Sequence, residues 1–408
     1  MDLETKSGKA IFIIFLIALF VRLLYVPLAL RYDPYLARDP LLGDGRDYDA
    51  IGWNLCAGNG FADQAGELTS RRAPAYPALL ALIYCIGGHD LFLARASNAL
   101  MGALVVVLVF LIARRFFGRD CAVVASLIMS FHPIIIYFGA FVGTEAIFLL
   151  VLWSGFFAAI RVADRPSIAR LLLLGILQAL AVLVRPQALL YCPVLPAWAL
   201  FVKRKESFRE GFRRWFFVML VGLLAILPWV FRNYVVHDAF VLIDTHGGWT
   251  LYGSYDMASR GEFVPKWSPG AAGLSEYEED QLYYQLAFQF IRAHPDKALA
   301  LIPGKVARMF SPIAVVEKEY PVPWAGAAKA VYALFLMPVT VGLILSTSNW
   351  RDSLLLYANI FMNLLTAAVF YGCTRFSIPM QPAFAILAAL AIVRLSSSAR
   401  SAFHFRHL

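Results

Sequence analysis

Residues 10–30 read AIFIIFLIALFVRLLYVPLAL, an apolar run of the length a helix needs to cross the hydrocarbon of a bilayer, about 20 residues. Lys6 and Lys9 precede it, as in a signal peptide, but the run outlasts a typical h-region and lacks an A-x-A cleavage site, so it is expected to be retained. Similar runs follow at Leu91 to Ala113, Ala122 to Phe138, Glu145 to Ile160, Leu171 to Val184 and Ala188 to Val202. Others lie at Trp215 to Phe231, Ala325 to Leu345, Ser353 to Tyr371 and Ile378 to Val393, for about ten expected transmembrane helices. Composition agrees with this reading. The 408 residues are 60% hydrophobic and only 15% charged, whereas soluble domains carry about 25% charge and about 45–50% apolar residues. This excludes an ordinary cytosolic enzyme, a disordered tail and a collagen-like chain, and predicts an all-α polytopic membrane protein.

The net charge of +9 does not require nucleic acid, because Lys and Arg accumulate in the cytoplasmic loops of membrane proteins. With a cytoplasmic N-terminus, the inner loops carry Arg114, Arg115 and Arg119, then Arg161, Arg165 and Arg170, then Lys203, Arg204, Lys205, Arg209, Arg213 and Arg214. The tail adds Arg394, Arg400 and Arg406. The first opposite loop holds Asp33, Asp39, Asp44, Asp47, Asp49, Asp63, Glu67 and Asp90, so both termini are expected in the cytoplasm. Cys56, Cys85, Cys121, Cys192 and Cys373 are scattered, without zinc-site spacing or the density of a disulfide framework, and most read as packing residues.

Two outer loops are too long to be mere links, since connections in helical bundles usually take about 2–8 residues. They divide the chain into an N-terminal transmembrane catalytic module, residues 1–232 with the first outer loop at 31–90, a long outer loop at 233–324, and C-terminal helices with a basic tail at 325–408. In the first loop Tyr48, Ile51 and Leu55 fall on one side of a helix suited to the membrane surface, which Gly58-Asn59-Gly60 would end. In the second, Ser275 and Glu278 have capping-box spacing ahead of Tyr277 to Arg292, and His294-Pro295 stops that run.

The chemistry such loops could support at a lipid boundary needs a cation for a lipid-linked phosphate and a carboxylate for an acceptor hydroxyl. Arg72 suits the first role because guanidinium forms charge-assisted bonds to phosphate and stays protonated. Asp44 suits the second as a general base. From spacing alone, Asp44 serves equally well as a helix N-cap. Arg71 and Arg72 serve equally well as residues snorkelling to headgroups. Asp47 and Asp49 read as solvated or capping residues. Glu145 follows Gly143-Thr144 at the start of a span, where a carboxylate is favourable. A divalent cation held by Asp44 and Glu145 is an alternative. Arg185, Arg232 and Arg375 stand at outer ends of spans and each demands a partner, a structural salt bridge before a ligand. His132, His237 and His246 have no metal-site spacing and read as local hydrogen-bonding residues.

Gly43-Asp44-Gly45-Arg46-Asp47-Tyr48 and Gly58-Asn59-Gly60-Phe61 resemble the opening motifs of bacterial GT-C glycosyltransferases, relatives of dolichyl-phosphate-mannose protein mannosyltransferase and lipid A aminoarabinose transferase. The resemblance continues through Arg72-Ala73-Pro74-Ala75-Tyr76-Pro77, Thr144-Glu145, Val184-Arg185-Pro186, Leu227 to Tyr234, Gly247-Gly248 and Thr374 to Pro379. It implies a GT-C-like bundle with interfacial helices on the two outer loops, and an inverting glycosyltransferase of the cytoplasmic (inner) membrane. Such an enzyme takes a sugar from a polyprenyl-phosphate donor to a lipid, glycan or protein acceptor at the outer face. It further implies Asp44 as catalytic base, with Arg72, Arg71, Tyr48, Glu145, Tyr76, Arg232 and Arg375 around the substrates. Ser377 stands where relatives often carry a second Arg, and Gly45 replaces the second acid of an Asp-Glu pair. A flippase for a lipid-linked sugar, or a glycan polymerase or ligase, is the rival reading; against a transporter, no repeat of the inverted kind stands out.

Overall fold

The computed structural model describes residues 2–255, 261–311 and 322–405. Arg406 and parts of the second long loop therefore lie outside the described residues. The described residues are all-α, and six helical runs among them are long and apolar enough to cross a membrane: Gly8–Tyr32, Leu91–Phe117, Glu145–Asp164, Phe208–His237, Lys329–Val369 and Thr374–Ser397. This is a multi-pass membrane protein. The inner windows of Thr374–Ser397, Glu145–Asp164 and Leu91–Phe117 are 83%, 72% and 61% buried, against 22% for each of the other three. Three helices thus form the protein core while the rest leave apolar faces for lipid.

Among the described residues the qualifying runs number six, or seven if the bent pair Arg119–Ser130 and Pro133–Gly139 is one crossing, against the expected ten or so. Proline explains part of the difference. Pro133 restarts the helix after a 50° bend within the run expected at Ala122 to Phe138. Pro193 and Pro196 fall in the run expected at Ala188 to Val202, with Pro186 just ahead of it, and the stretch is a succession of short helical pieces. Ile168–Val184 is helical over 17 residues, too short to qualify by itself. The run Lys329–Val369, by contrast, holds the two helices expected at Ala325 to Leu345 and Ser353 to Tyr371: Ser353 Oγ donates to Ser346 O at 3.0 Å and Tyr357 Oη to Leu343 O at 3.3 Å, contacts a straight helix cannot make, so the chain folds back near Thr347–Asn349.

The bend at Phe131 exposes helix-end carbonyls inside the bundle. The buried Arg22 answers them, donating to Met129 O at 3.0 Å and Ser130 O at 3.3 Å. The two long loops gather at one end of the bundle. The basic segments gather at the other, where Arg115 pairs with Asp164 at 2.7 Å and Lys203 with Asp352 at 2.5 Å.

Within the first loop, Gly45–Cys56 and Ala75–Gly87 lie side by side, so close that a Cβ on Gly52 would stand 2.7 Å from Leu80. A disulfide joins Cys56 to Cys85 across them, a pairing that sequence spacing had not suggested. Cys121, Cys192 and Cys373 are free. The capping box at Ser275 and Glu278 is present, and its helix runs Glu276–Ala293 with His294 as C-cap.

Candidate active site

Gly43, at φ +63°, turns the chain so that Asp44 stands at the head of the Gly45–Cys56 helix. Asp44 occupies the N-cap position, yet its side chain caps nothing. One oxygen lies 2.8 Å from Arg72 Nη2, and the other accepts from Arg375 Nη1 at 2.6 Å. Arg72 also donates through Nε and Nη2 to Asp47 Oδ2, at 3.0 and 2.7 Å. Glu145, 3% exposed, opens the Glu145–Asp164 helix and accepts from Arg185 Nη2 at 2.5 Å and from Arg375 Nε. Arg185 Nε in turn donates to Thr144 Oγ1 at 2.7 Å.

Three carboxylates and three guanidiniums therefore form one connected, formally neutral cluster, drawn from five separate stretches of sequence and joined through Arg375. The buried charges of Glu145, Arg185 and Arg72 persist because each is paired. Burial pushes the Asp44 carboxyl up, but Arg72 and Arg375 outweigh it and hold it well below the usual carboxylate range. Burial likewise opposes the charge on Arg72, and Asp44 overcomes it. Beneath the cluster, Arg72 sits 5.5 Å above the Tyr48 ring, which meets Tyr76 edge-on at 5.2 Å. Both tyrosines are buried, so Tyr48 and Tyr76 act as a floor.

A second polar assembly adjoins the first and docks one long loop on the other. Glu276 accepts from Ser70 N at 2.8 Å, from Thr69 Oγ1 at 2.7 Å and from Thr245 Oγ1. Arg71 donates to Glu279 at 2.8 Å. Arg232 donates to Thr69 O and Ser70 Oγ, each at 2.7 Å, and to Phe61 O at 3.1 Å. His237 meets Ser70 Oγ at 2.8 Å. Arg71 and Arg232, expected around the substrates, thus have donors committed to this clamp, while Asp44, Glu145, Arg72 and Arg375 converge as one group.

Sequence reasoning gave no role in the site to Asp47, Asp244 or His246. Asp47 read as solvated, although its spacing from Asp44 would place both on one helical face. Asp244 and His246 come from the second loop, about which nothing local gives notice. His246 packs against Trp249 at 4.9 Å and is held to about 3 by burial and by nearby Arg72. Asp244 is pushed up to about 7 by burial, with Asp280 adding to the effect.

The carboxylates do not fit a resident divalent cation. Asp44 and Glu145 already spend oxygens on guanidiniums, and no group of three or more His, Cys, Asp or Glu converges among the described residues.

Residues 71–231 match the dolichyl-phosphate-mannose-protein mannosyltransferase family, a stretch that includes Arg72, Glu145 and Arg185. No curated protein matches the chain significantly in sequence. The apo oligosaccharyltransferase of Archaeoglobus fulgidus is similar in fold, with TM-score 0.59 at 14% identity over 98% of this chain and 52% of that one. The oligosaccharyltransferase AglB of the same organism, in complex with an inhibitory peptide and a dolichol-phosphate, gives 0.57 at 13% identity over 99% and 52%. This chain spans about half the length of those archaeal proteins. ArnT from Cupriavidus metallidurans bound to undecaprenyl phosphate gives 0.44 at 16% identity, covering 88% and 74%. The match to the mannosyltransferase family thus covers less than half of the chain, within a fold similar to that of the archaeal oligosaccharyltransferases.

Proposed function

We propose that this protein is an inverting glycosyltransferase that moves a sugar from a polyprenyl-phosphate donor to an acceptor hydroxyl at the outer face of the cytoplasmic membrane. The observation that carries this reading is the meeting of Asp44 with Arg72 and Arg375, 2.8 and 2.6 Å away, at the end of the bundle where both long loops gather. The matched family is named for a phosphate-linked sugar donor, and the AglB neighbour was captured with a dolichol-phosphate. Placement of that end outside the cytoplasm is supported by the Cys56–Cys85 disulfide in its first loop and by the basic segments at the opposite end.

In the reaction, the acceptor oxygen attacks the anomeric carbon as the bond from that carbon to the phosphate oxygen breaks. The hydroxyl proton passes to Asp44, and the polyprenyl phosphate leaves with the bonding pair. Fixed guanidiniums stabilise the charge that develops on the leaving oxygen, with Arg72 in first place and Arg375 behind it. Glu145 holds Arg185 and Arg375 in register and so orients the cation side of the site. Asp44 is a weak base while both arginines neutralise it. Transfer of Arg72 toward the donor's phosphate raises its basicity at the moment it is needed.

Purified protein reconstituted in liposomes with a single-sugar polyprenyl-phosphate donor and a panel of lipid, glycan and peptide hydroxyl acceptors tests the reading. Sugar transfer is expected. Movement of the donor between leaflets without transfer would replace it with a flippase, and neither outcome would end it.

A further inference from the structure

Arg72 is the guanidinium assigned above to the donor's phosphate, but its fork is already engaged. Nε and Nη2 both donate to Asp47 Oδ2, at 3.0 and 2.7 Å, while Asp44 takes Nη2 at 2.8 Å. The carboxylates of the cluster are not equally restrained. The Glu145 side chain is 4% exposed and holds two arginines, and that of Asp44 is 31% exposed and bound to Arg375 as well. The Asp47 side chain is 42% exposed, and its other oxygen has only Gln64 Nε2 at 3.5 Å. A carboxylate in that position can turn into water and be hydrated, which is what makes exposed ion pairs weak. Its removal leaves the Asp44–Arg375–Glu145–Arg185 chain of contacts in place.

We propose that Asp47 is a displaceable stand-in for the donor: its carboxylate occupies the Arg72 fork in the resting enzyme, and the phosphate of the incoming polyprenyl-phosphate sugar displaces it. Carboxylate and phosphate both present oxygens that a guanidinium grips through parallel N–H bonds, so one can replace the other on Arg72. The exchange keeps an anion against Arg72 at every stage and spares the site a buried unpaired cation. Asp47 is then a positioning residue that sets donor affinity, distinct from Asp44, which meets the acceptor proton. The inference rests on the proposed function, because it takes the donor to be a lipid phosphate.

Binding of polyprenyl phosphate, the leaving product, to the full-length protein in lipid nanodiscs separates the two ideas. Wild type should bind and Arg72→Ala should lose binding. Asp47→Asn and Asp47→Ala should both bind about three- to tenfold more tightly, since a competing ion pair is gone. Asp47→Glu, which keeps the competitor, should stay near wild type. A gain in affinity cannot come from misfolding, so either neutral variant suffices. If wild type binds, Arg72→Ala does not, and the neutral variants bind no better than wild type, the displacement idea is overturned while the proposed function stands. If wild type fails to bind, or Arg72→Ala binds equally well, the phosphate role of Arg72 falls and this inference falls with it.

Discussion

One peptide bond separates two polar regions of different character. On the Arg72 side, the guanidinium is 13% exposed and its partners are the carboxylates of Asp44 and Asp47. On the Arg71 side, the guanidinium is 47% exposed and joins Arg232, Ser70 and Glu276 in fastening the two long loops together. Within the clamp Arg232 is satisfied by backbone carbonyls and a hydroxyl, which offer an incoming anion nothing to exchange, whereas Arg71 meets the carboxylates of Glu279 and Glu276 at an exposed position. The cluster is satisfied by anions, so another anion can take a guanidinium over and leave a carboxylate free to act. The presence of arginine does not distinguish site from scaffold: partner chemistry sets Arg72 apart from Arg232, and burial, 13% against 47% side-chain exposure, sets it apart from Arg71.

The sharpest way to break this comparison is to truncate the neighbours separately. Arg72→Ala should reduce kcat/KM for the donor by about 10²- to 10³-fold, the range for loss of one preorganised charge-stabilising donor. Arg71→Ala should cost about fivefold or less, in keeping with an exposed pair. Equal losses in steady-state transfer assays would dissolve the distinction.

A second test asks what each region contributes to stability. Glu145→Gln removes the anion from two arginines at once and should destabilise the protein by about 3–5 kcal/mol, the usual penalty for half of a buried ion pair. Glu276→Gln keeps an acceptor for Ser70, Thr69 and Thr245, and should cost about 1–3 kcal/mol. Thermal unfolding in one detergent ranks them, and the reverse order would contradict the assignment of Glu145 to a charge-neutral core.

The smallest expected effect concerns pH. Asp244 is raised to about 7 in the folded protein, chiefly by burial, against about 3.9 for an unperturbed side chain. The folded state therefore favours the protonated form. The associated stability is complete below about pH 4 and is lost as pH rises through 7. Asp244→Asn should flatten the fall in melting temperature between pH 4 and pH 8 by a few degrees, and an identical profile in wild type and variant would refute the shift.

Much of this architecture was legible from patterns that are local in sequence. Apolar runs announced the Gly8–Tyr32, Leu91–Phe117, Glu145–Asp164 and Phe208–His237 helices, and Ser275 with Glu278 announced the helix that bears the clamp. The qualifying runs are fewer than the expected ten or so in part because hydropathy counts apolar residues and does not see where Pro133 bends a helix or Pro193 and Pro196 interrupt one. Asp44, Arg72, Glu145 and Arg375 were legible as candidates, but their convergence was not. Arg375 stands 331 residues from Asp44, and only the packed bundle brings the two to 2.6 Å. The same limit hid the Cys56–Cys85 bond, which two parallel helices create, and hid Asp244 and His246, which the second loop delivers. Arg71 and Arg232 show the converse: a plausible position for phosphate contact, filled in the folded chain by Glu279 and by carbonyl oxygens.

The central claim is that Asp44 takes the acceptor's proton within reach of the cation that holds the departing phosphate. Asp44→Asn preserves shape and removes the base, so single-turnover transfer from a bound polyprenyl-phosphate sugar tests it most directly. The account expects expression and donor binding to persist while transfer falls by about 10²- to 10⁴-fold, the range for loss of a general base. Near-normal transfer by that variant would contradict it.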